Sequence, residues 1–244
     1  MTIFKVLMFT CFAFIFISCT VENHNVAIEN CNLSNPNKTN PVVISNCSGR
    51  STYSSVTIGT QVWMGENLDV CTYRNNDPIP QVTDPTQWNN LTTGAWCYYN
   101  NDSTMGAIYG KLYNWYAVND PRVLAPTGWH VSTDAEWTGL EAFLGGSLVA
   151  GGKLKSTGTI VAGNGLWLSP NTGASNSSGF SALPDGYRDY DGSYNLVGYD
   201  GSWWSSLQSA ASNAWYWTMH SDYNGIYRGS WDKRVGFSVR CVRD

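Results

Sequence analysis

Charged residues are scarce in this 244-residue chain, and basic residues are fewer than acidic ones. Only 13% of the residues are charged, and 14 Lys and Arg against 18 Asp and Glu give a net charge of −4. Nucleic-acid binding needs clustered Lys and Arg to neutralise phosphates. The composition therefore argues against nucleic acid as a partner.

Motifs for metal binding and nucleophilic catalysis are also missing. There is no Cys-x-x-Cys, and the histidines His24, His130 and His220 lie far apart in the sequence. No Gly-x-Ser-x-Gly elbow occurs, and the glycine-rich stretch Gly145–Lys155 does not have the P-loop spacing. We therefore expect no zinc site, no cofactor and no enzymatic activity.

No apolar run reaches the roughly 20 residues that a transmembrane helix needs. The apolar-rich run Val6–Ile17 follows one lysine and leads into Ser18 and Cys19, which is the pattern of a secretory signal. Phe16–Cys19 resembles a bacterial lipobox, in which the cysteine is lipidated after export. We predict a lipoprotein signal peptide over residues 1–18 and a lipid on Cys19, with an ordinary cleaved signal as the alternative. The expected location is the cell envelope, at the outer membrane or the cell surface.

The next segment, residues 19–50, is rich in Asn and almost free of aromatic residues. Such a segment buries too little apolar surface to offset the entropy of ordering it. We predict a flexible tether over residues 19–50 and a single folded domain over residues 51–244.

The sequence alone does not determine which cysteines form disulfides. An exported protein can form disulfides, and five thiols allow two bridges and one unpaired cysteine in several combinations. The five are Cys31, Cys47, Cys71, Cys97 and Cys241.

Aromatic residues and glycine are plentiful, with 12 Trp, 14 Tyr and 24 Gly. Many short glycine-bounded segments predict an α+β domain with two helices, many short antiparallel strands and long loops. The second helix has the clearest signals: Thr133 and Glu136 form a capping box, and Gly145 follows the apolar face that ends at Leu144. The spacing of Leu112, Trp115 and Tyr116 predicts a first helix over Tyr109–Val118.

Turn residues mark the strands. Gly59 and Thr60 predict a hairpin between two short strands, and Asp191 and Gly192 predict another. The last two extended segments, Gly225–Ser230 and Gly236–Val242, are predicted to pair with each other. Further extended segments are predicted at Ala95–Tyr99, Gly151–Leu154, Gly179–Leu183, Ser202–Ser206 and Ala214–His220.

Eight blocks in order together resemble one protein family, the Fibrobacter succinogenes major paralogous domain. That family occurs on exported bacterial proteins, commonly lipoproteins, and has no established activity. The resemblance covers about residues 55–244 and rests on Trp63–Leu68, Tyr109–Ala117, Ala125–His130, Thr133–Trp137, Ala150–Lys155, Gly179–Pro184, Gly201–Ser206 and Gly236–Val242.

A more distant similarity is to the formylglycine-generating sulfatase-modifying enzymes, which implies a C-type-lectin-like fold. It rests on the helix entry at Thr133–Trp137, on Arg228–Trp231 and on the terminal Gly-Phe and Arg-Cys pairs. Those enzymes carry two active-site cysteines soon after a motif like Arg228–Trp231, whereas here Cys241 is the only thiol nearby. The similarity therefore implies the fold, and formylglycine-generating activity is not expected.

Two groups of acidic residues could act in catalysis or in metal binding, and a structural role is the alternative for each. Asp134 and Glu136, with His130 beside them, are expected to cap a helix rather than to catalyse. Aspartates at alternate positions around a predicted hairpin turn could hold calcium, although the glycine is misplaced for an EF-hand and a plain turn is preferred. The calcium candidates are Asp185, Asp189, Asp191 and Asp200.

Aromatic and acidic residues of the C-terminal half are the candidate ligand-binding residues. Rings exposed beside Asp and Asn can stack on sugars or anchor a protein partner. Trp204 and Trp217 are assigned to the core. The candidates are Tyr190, Asp191, Asp200, Trp203 and Trp231.

These observations predict a lipid-anchored envelope protein with a non-catalytic domain that binds a glycan or another envelope component. An envelope enzyme with an unrecognised active site and a purely structural envelope protein are the alternatives.

Overall fold

The computed structural model describes residues 52–244, and the predicted signal peptide, Cys19 and the tether lie outside them. Short helices alternate with small antiparallel sheets, which confirms the α+β class. The strands are β1 (Ser55–Ile58), β2 (Gln61–Met64), β3 (Trp96–Cys97), β4 (Leu112–Tyr113), β5 (Trp129–Val131), β6 (Tyr187–Arg188), β7 (Tyr194–Asn195), β8 (Asp200–Gln208), β9 (Asn213–His220), β10 (Tyr227–Asp232) and β11 (Cys241–Arg243). The helices are α1 (Pro85–Asn89), α2 (Ser103–Tyr109), α3 (Trp115–Val118), α4 (Asp134–Phe143) and α5 (Ala150–Leu154), with a 3-10 turn at Tyr99–Asn101.

One sheet joins the two ends of the described domain. Its strand order is β1-β2-β11-β5, and the predicted hairpin is confirmed by β1 and β2, whose connection has Gly59 at φ 62°. The last strand lies between β2 and β5, since Val242 faces Trp63 on one side and His130 on the other. The predicted pairing of the last two extended segments is therefore wrong.

A second sheet has the order β10-β9-β8. β9 is its central strand, with Trp217 facing Trp203 of β8 on one side and Arg228 of β10 on the other. Alternate residues of these strands point to opposite faces. One face packs Trp204 and Tyr216 into one hydrophobic cluster, and the other packs Trp203 and Trp217 into a second cluster.

Helix α4 forms where the capping box predicts it. The Thr133 side chain accepts a hydrogen bond from the Glu136 amide, and the Glu136 carboxylate accepts one from the Thr133 amide. Trp137 of this helix is fully buried, with ring centroids 4.8 Å from Trp63 and 6.1 Å from Trp217. The helix thus connects the two sheets.

The predicted helix over Tyr109–Val118 is wrong, because α2 ends and a new helix begins inside that range. Gly110 adopts φ 81° and ends α2, and Leu112 then pairs with Cys97. The Asn114 side chain accepts a hydrogen bond from the Ala117 amide and caps α3. Strand pairing and a local cap therefore override the helical spacing.

The predicted extended segment Gly151–Leu154 is also wrong, since it lies in α5. A Cβ atom on Gly151 would lie 1.8 Å from the Gly225 carbonyl oxygen, and one on Gly152 would lie 2.4 Å from the Gly173 carbonyl oxygen. Glycine is therefore needed here for close backbone contact rather than for a strand.

A buried polar network surrounds Asn67. Its amide nitrogen donates to the Asp185 carboxylate and to the Tyr109 carbonyl, at 2.9 Å each, and also to Ser238. Its oxygen accepts from Trp203 Nε1 at 2.8 Å and from the Arg240 guanidinium at 3.0 Å. Burial raises the pKa of Asp185 to about 7, while hydrogen bonds from Ser238, Ser202 and Asn67 and the charge of Arg240 act in the opposite direction.

The cysteines divide into bonded and free. Cys71 is in a disulfide, whereas Cys97 and Cys241 are buried free thiols. Cys31 and Cys47 lie outside the described residues.

Among residues 52–244, no helix is both long enough and apolar enough to cross a bilayer.

Candidate functional site

Polar residues gather at one end of the β8–β9–β10 sheet. Asp200 begins β8 and His220 ends β9, and these two residues face each other in the strand register. The next pair on the same face is Ser202 and Thr218, joined by a hydrogen bond of 2.9 Å between their hydroxyls. Tyr227 of β10 faces Thr218 and shares this surface. Strand alternation and register thus bring side chains from three strands to one place.

Asp200 and His220 form a close pair that is not a hydrogen bond. Asp200 Oδ1 lies 3.4 Å from His220 Nε2, with 10% of the Asp200 side chain and 28% of the His220 side chain exposed. Within residues 52–244, Oδ1 of Asp200 is the only buried carboxylate oxygen without a hydrogen-bond partner.

Burial and nearby charges shift both pKa values. Burial, with a smaller contribution from the Asp222 charge, raises the pKa of Asp200 to about 7. Burial lowers the pKa of His220, which the Asp222 carboxylate opposes and the Lys155 charge reinforces. Near neutral pH the imidazole is therefore neutral, and the carboxyl group titrates there.

The nearby lysine does not pair with these carboxylates. Lys155 Nζ donates instead to three backbone carbonyls, of Thr172, His220 and Tyr223, at 2.8–2.9 Å. Burial lowers the pKa of Lys155 to about 8, while the Asp222 charge acts in the opposite direction. Asp222 accepts a hydrogen bond of 2.8 Å from the Tyr199 hydroxyl.

Four rings form a row beside the carboxylates. The His220 imidazole lies between Tyr199 and Tyr227, with centroid distances of 5.4 and 5.2 Å. Tyr227 stacks on Tyr223 with centroids 4.7 Å apart. Tyr227 is the most exposed of these rings at 44%.

The other end of the same sheet face is aromatic. Trp231 lies on the same face of β10 as Tyr227, with centroids 5.9 Å from Tyr216 of β9 and 5.2 Å from Tyr187 of β6. All three rings are half-buried. We call this surface the aromatic–acidic face, which consists of Tyr187, Tyr199, Asp200, Tyr216, Thr218, His220, Asp222, Tyr223, Tyr227 and Trp231.

Comparison with protein-family models gives one match, over residues 56–243, to the model described as the Fibrobacter succinogenes major domain. The match spans most of the chain. This protein belongs to that family. No curated protein and no solved structure matches it.

The fold of this protein brings together only some of the ligand-binding residues that were predicted from the sequence. Asp200 and Trp231 lie on the aromatic–acidic face. Tyr190 and Asp191 lie in the predicted hairpin turn between β6 and β7, where the Asp191 carboxylate accepts hydrogen bonds from the Ser193 amide and hydroxyl. Tyr190 is 43% exposed, and its ring lies 5.2 Å from the guanidinium carbon of Arg234.

The prediction that Trp203 is a ligand-binding residue is wrong. It is fully buried, its indole nitrogen donates to Asn67, and its ring lies among Trp137 and Phe180. A ring buried in this way cannot stack on a ligand. Trp204 and Trp217 are buried as predicted.

For the calcium candidates a plain turn was the preferred interpretation, and two of these aspartates have structural roles. Asp185 belongs to the Asn67 network, and Asp191 stabilises its own turn. Over residues 52–244, no three side chains of His, Cys, Asp or Glu are grouped closely enough to hold a metal ion. Asp185, Asp189, Asp191 and Asp200 therefore do not form a joint calcium site.

Of the two acidic residues of α4 that were predicted to cap the helix, Glu136 does so and Asp134 instead pairs with Arg228. Asp134 binds the Arg228 guanidinium through two hydrogen bonds of 2.8 and 2.9 Å, and Arg228 lies 3.4 Å over the ring of Trp215. Glu136 completes the capping box and lies 2.7 Å from His130 Nε2.

Sequence reasoning missed the contributions of His220, Asp222, Tyr223 and Tyr227. Each is unremarkable in isolation, and none has a partner at a recognisable spacing. The strand register brings them together, because Asp200 and His220 are 20 positions apart and face each other only when β8 and β9 pair. The available signal was the polar pattern at the start of one strand and the end of the next.

Proposed function

We propose that this major-domain protein is a lipid-anchored envelope protein that binds a glycan, without catalysis, on its aromatic–acidic face. The observation that carries the proposal is that the exposed Tyr227 and Asp222 share one surface with the partly buried Trp231 and the largely buried Asp200 carboxyl group. Trp231 and Tyr227 offer apolar ring surface, and Asp200 and Asp222 offer hydrogen-bond acceptors. Sugars have apolar C–H faces and donor hydroxyls, so this combination suits them.

We also propose that the domain has a C-type-lectin-like fold and that the mature N-terminus carries a lipid. The α+β class, with long connections between short strands, is compatible with such a fold. The lipobox-like Phe16–Cys19 is the support for the anchor. Replacing Cys19 with Ser is expected to release the protein from the membrane fraction of a bacterial host, and unchanged membrane partitioning would contradict the anchor.

Glycan binding is tested with the purified full chain and a panel of envelope and plant polysaccharides, by calorimetry. Trp231→Ala is expected to lower the affinity for the bound glycan at least tenfold, since a central aromatic residue commonly contributes that much. Trp215→Ala is the matched control, because Trp215 lies on the opposite face of the same sheet. Unfolding curves of both variants confirm that they fold.

Saturable binding that Trp231→Ala weakens and Trp215→Ala leaves unchanged supports the proposal. Equal loss in both variants contradicts the assigned face. The absence of binding to any glycan in the panel contradicts the function.

A hydrolase is the second candidate, and the Asp200–His220 pair is the observation that favours it. A carboxyl and an imidazole 3.4 Å apart are groups of the kind that transfer protons in catalysis. If the full chain cleaves a bound glycan and His220→Gln abolishes cleavage without abolishing binding, the protein is an enzyme and the non-catalytic proposal fails.

A further inference from the structure

The Asp200 carboxylate lacks a partner of opposite charge. Its Oδ1 atom is buried and accepts no hydrogen bond, and it lies 3.4 Å from the imidazole of His220, whose pKa burial lowers. A buried acceptor left without a donor costs free energy, and an ionised one costs more. The protein therefore holds an incomplete site at this end of the sheet.

The surrounding groups do not complete it. From β9 and its following loop come His220 and Asp222, from the segment before β8 comes Tyr199, and from β10 comes Tyr227. Within residues 52–244, the nearby cation is Lys155, whose ammonium group donates to three backbone carbonyls. Burial, with a smaller contribution from the Asp200 charge, raises the pKa values of the Tyr187 and Tyr216 phenols. Both phenols therefore stay neutral. The site therefore has two carboxylates and no available cation.

Accordingly, we infer that the glycan bound by the aromatic–acidic face carries an amino sugar with a free ammonium group, which Asp200 binds. This inference rests on the proposed glycan-binding function. An ammonium group supplies the missing positive charge for the two carboxylates, and its N–H groups reach the Asp200 carboxyl through the small part of that side chain that is exposed. The sugar ring that bears it can pack against Tyr227, the most exposed ring of the row.

The pH dependence follows from the two charges. The carboxyl of Asp200 has a pKa of about 7 without ligand. Binding therefore strengthens as the pH rises toward neutrality and Asp200 ionises. It weakens again as the pH rises further and the amino group of the sugar loses its proton. A neutral sugar has no ammonium group and should show neither effect.

The test uses three β-1,4-linked tetramers that differ at one position of each sugar: glucosamine, N-acetylglucosamine and glucose. The full chain is titrated with each at pH 7 by calorimetry. The glucosamine tetramer is expected to bind about tenfold or more tightly than the glucose tetramer, as a charge-assisted hydrogen bond provides. Asp200→Asn should remove that preference, so that the glucosamine and glucose tetramers bind the variant with equal affinity. Glu141→Gln, which removes the same charge from α4, should keep the preference.

The ligand comparison needs no variant, so it stands even if Asp200→Asn fails to fold. Equal affinity for the three tetramers would overturn the inference and leave glycan binding intact. Binding only to other glycans of the panel has the same consequence, whereas no glycan binding at all removes both proposals. An oligolysine peptide that competes as tightly as the glucosamine tetramer would overturn the assignment to a sugar.

Discussion

Replacing Asp200 with Asn is expected to stabilise the protein in neutral and alkaline solution but not in acid. The wild-type carboxyl has a pKa of about 7 in the folded protein because it is buried and lies near Asp222. In the unfolded chain an Asp ionises near pH 3.9. Between these values the folded state binds more protons than the unfolded state. The free energy of unfolding of the wild type therefore falls as the pH rises through this interval.

The size of the effect follows from the two pKa values. A difference of about three between them corresponds to about 4 kcal/mol at full ionisation. This is an upper limit, because relaxation of the site and entering water partly stabilise a buried charge. The amide of Asn has nearly the shape of the carboxyl and never ionises. Its stability advantage should therefore grow from pH 4 to pH 7 and then stay constant.

The assay is urea unfolding of the full chain and of Asp200→Asn at intervals from pH 4 to pH 8.5. Asp185, whose pKa burial also raises to about 7, is present in both proteins, so its titration cancels in the difference. Glu141→Gln serves as the charge control and should show no such growth. A difference that does not change with pH, or one that favours the wild type in alkali, would refute the reasoning.

Three further predictions follow from the same contacts. Asn67→Ala should lower the free energy of unfolding in urea by about 3–5 kcal/mol, because it leaves buried charged and polar partners unpaired; a loss below about 1 kcal/mol would contradict the network. Gly151→Ala should be strongly destabilising in thermal unfolding because its Cβ would overlap a carbonyl oxygen, whereas Gly139→Ala, whose Cβ meets nothing closer than 3.4 Å, should raise stability by about 0.5–1 kcal/mol. Burial would lower the pKa of His130, but hydrogen bonds to Asp244 and a second carboxylate raise it. Its contribution to stability is thus complete below about pH 6.5 and disappears as the pH rises through the raised value; Asp244→Asn should lower the pKa measured by NMR, and an unchanged pKa would contradict the ion pair.

The parts of the fold that could be predicted are those with local causes. Thr133 and Glu136 cap α4 within one turn, and Gly59 supports a two-residue hairpin, so neighbouring residues sufficed in both cases. The helix predicted over Tyr109–Val118 failed because its middle pairs with β3, which lies more than ten residues earlier. The place of β11 between β2 and β5 depends on pairing across most of the chain. No local pattern could encode it.

The candidate site could be predicted only in part, for a related reason. In a sheet with one solvated face, alternation along the strand separates exposed from buried rings. Here both faces of the β8–β9–β10 sheet pack against hydrophobic clusters, so the adjacent Trp203 and Trp204 are both buried. Burial varies along the strands as well as across them: β8 is buried from Asp200 to Ser205 and becomes exposed only toward Gln208, away from the end that carries Asp200 and His220. Locating that end requires the register, which the sequence does not reveal.

Asp200 is a poor choice for stability alone, and this supports a role in binding. An Asn at this position would fit the same space and remove the cost of a buried charge. Elsewhere in the domain the buried charges have partners, as Arg240 does with Asn67 and Arg188 does with the carbonyls of Val82 and Thr83. Destabilising groups are typical of functional sites. A ligand that brings an ammonium group would offset the cost of the charge by binding only the folded state. The stability measurement and the binding measurement on Asp200→Asn therefore examine two consequences of one unpaired oxygen.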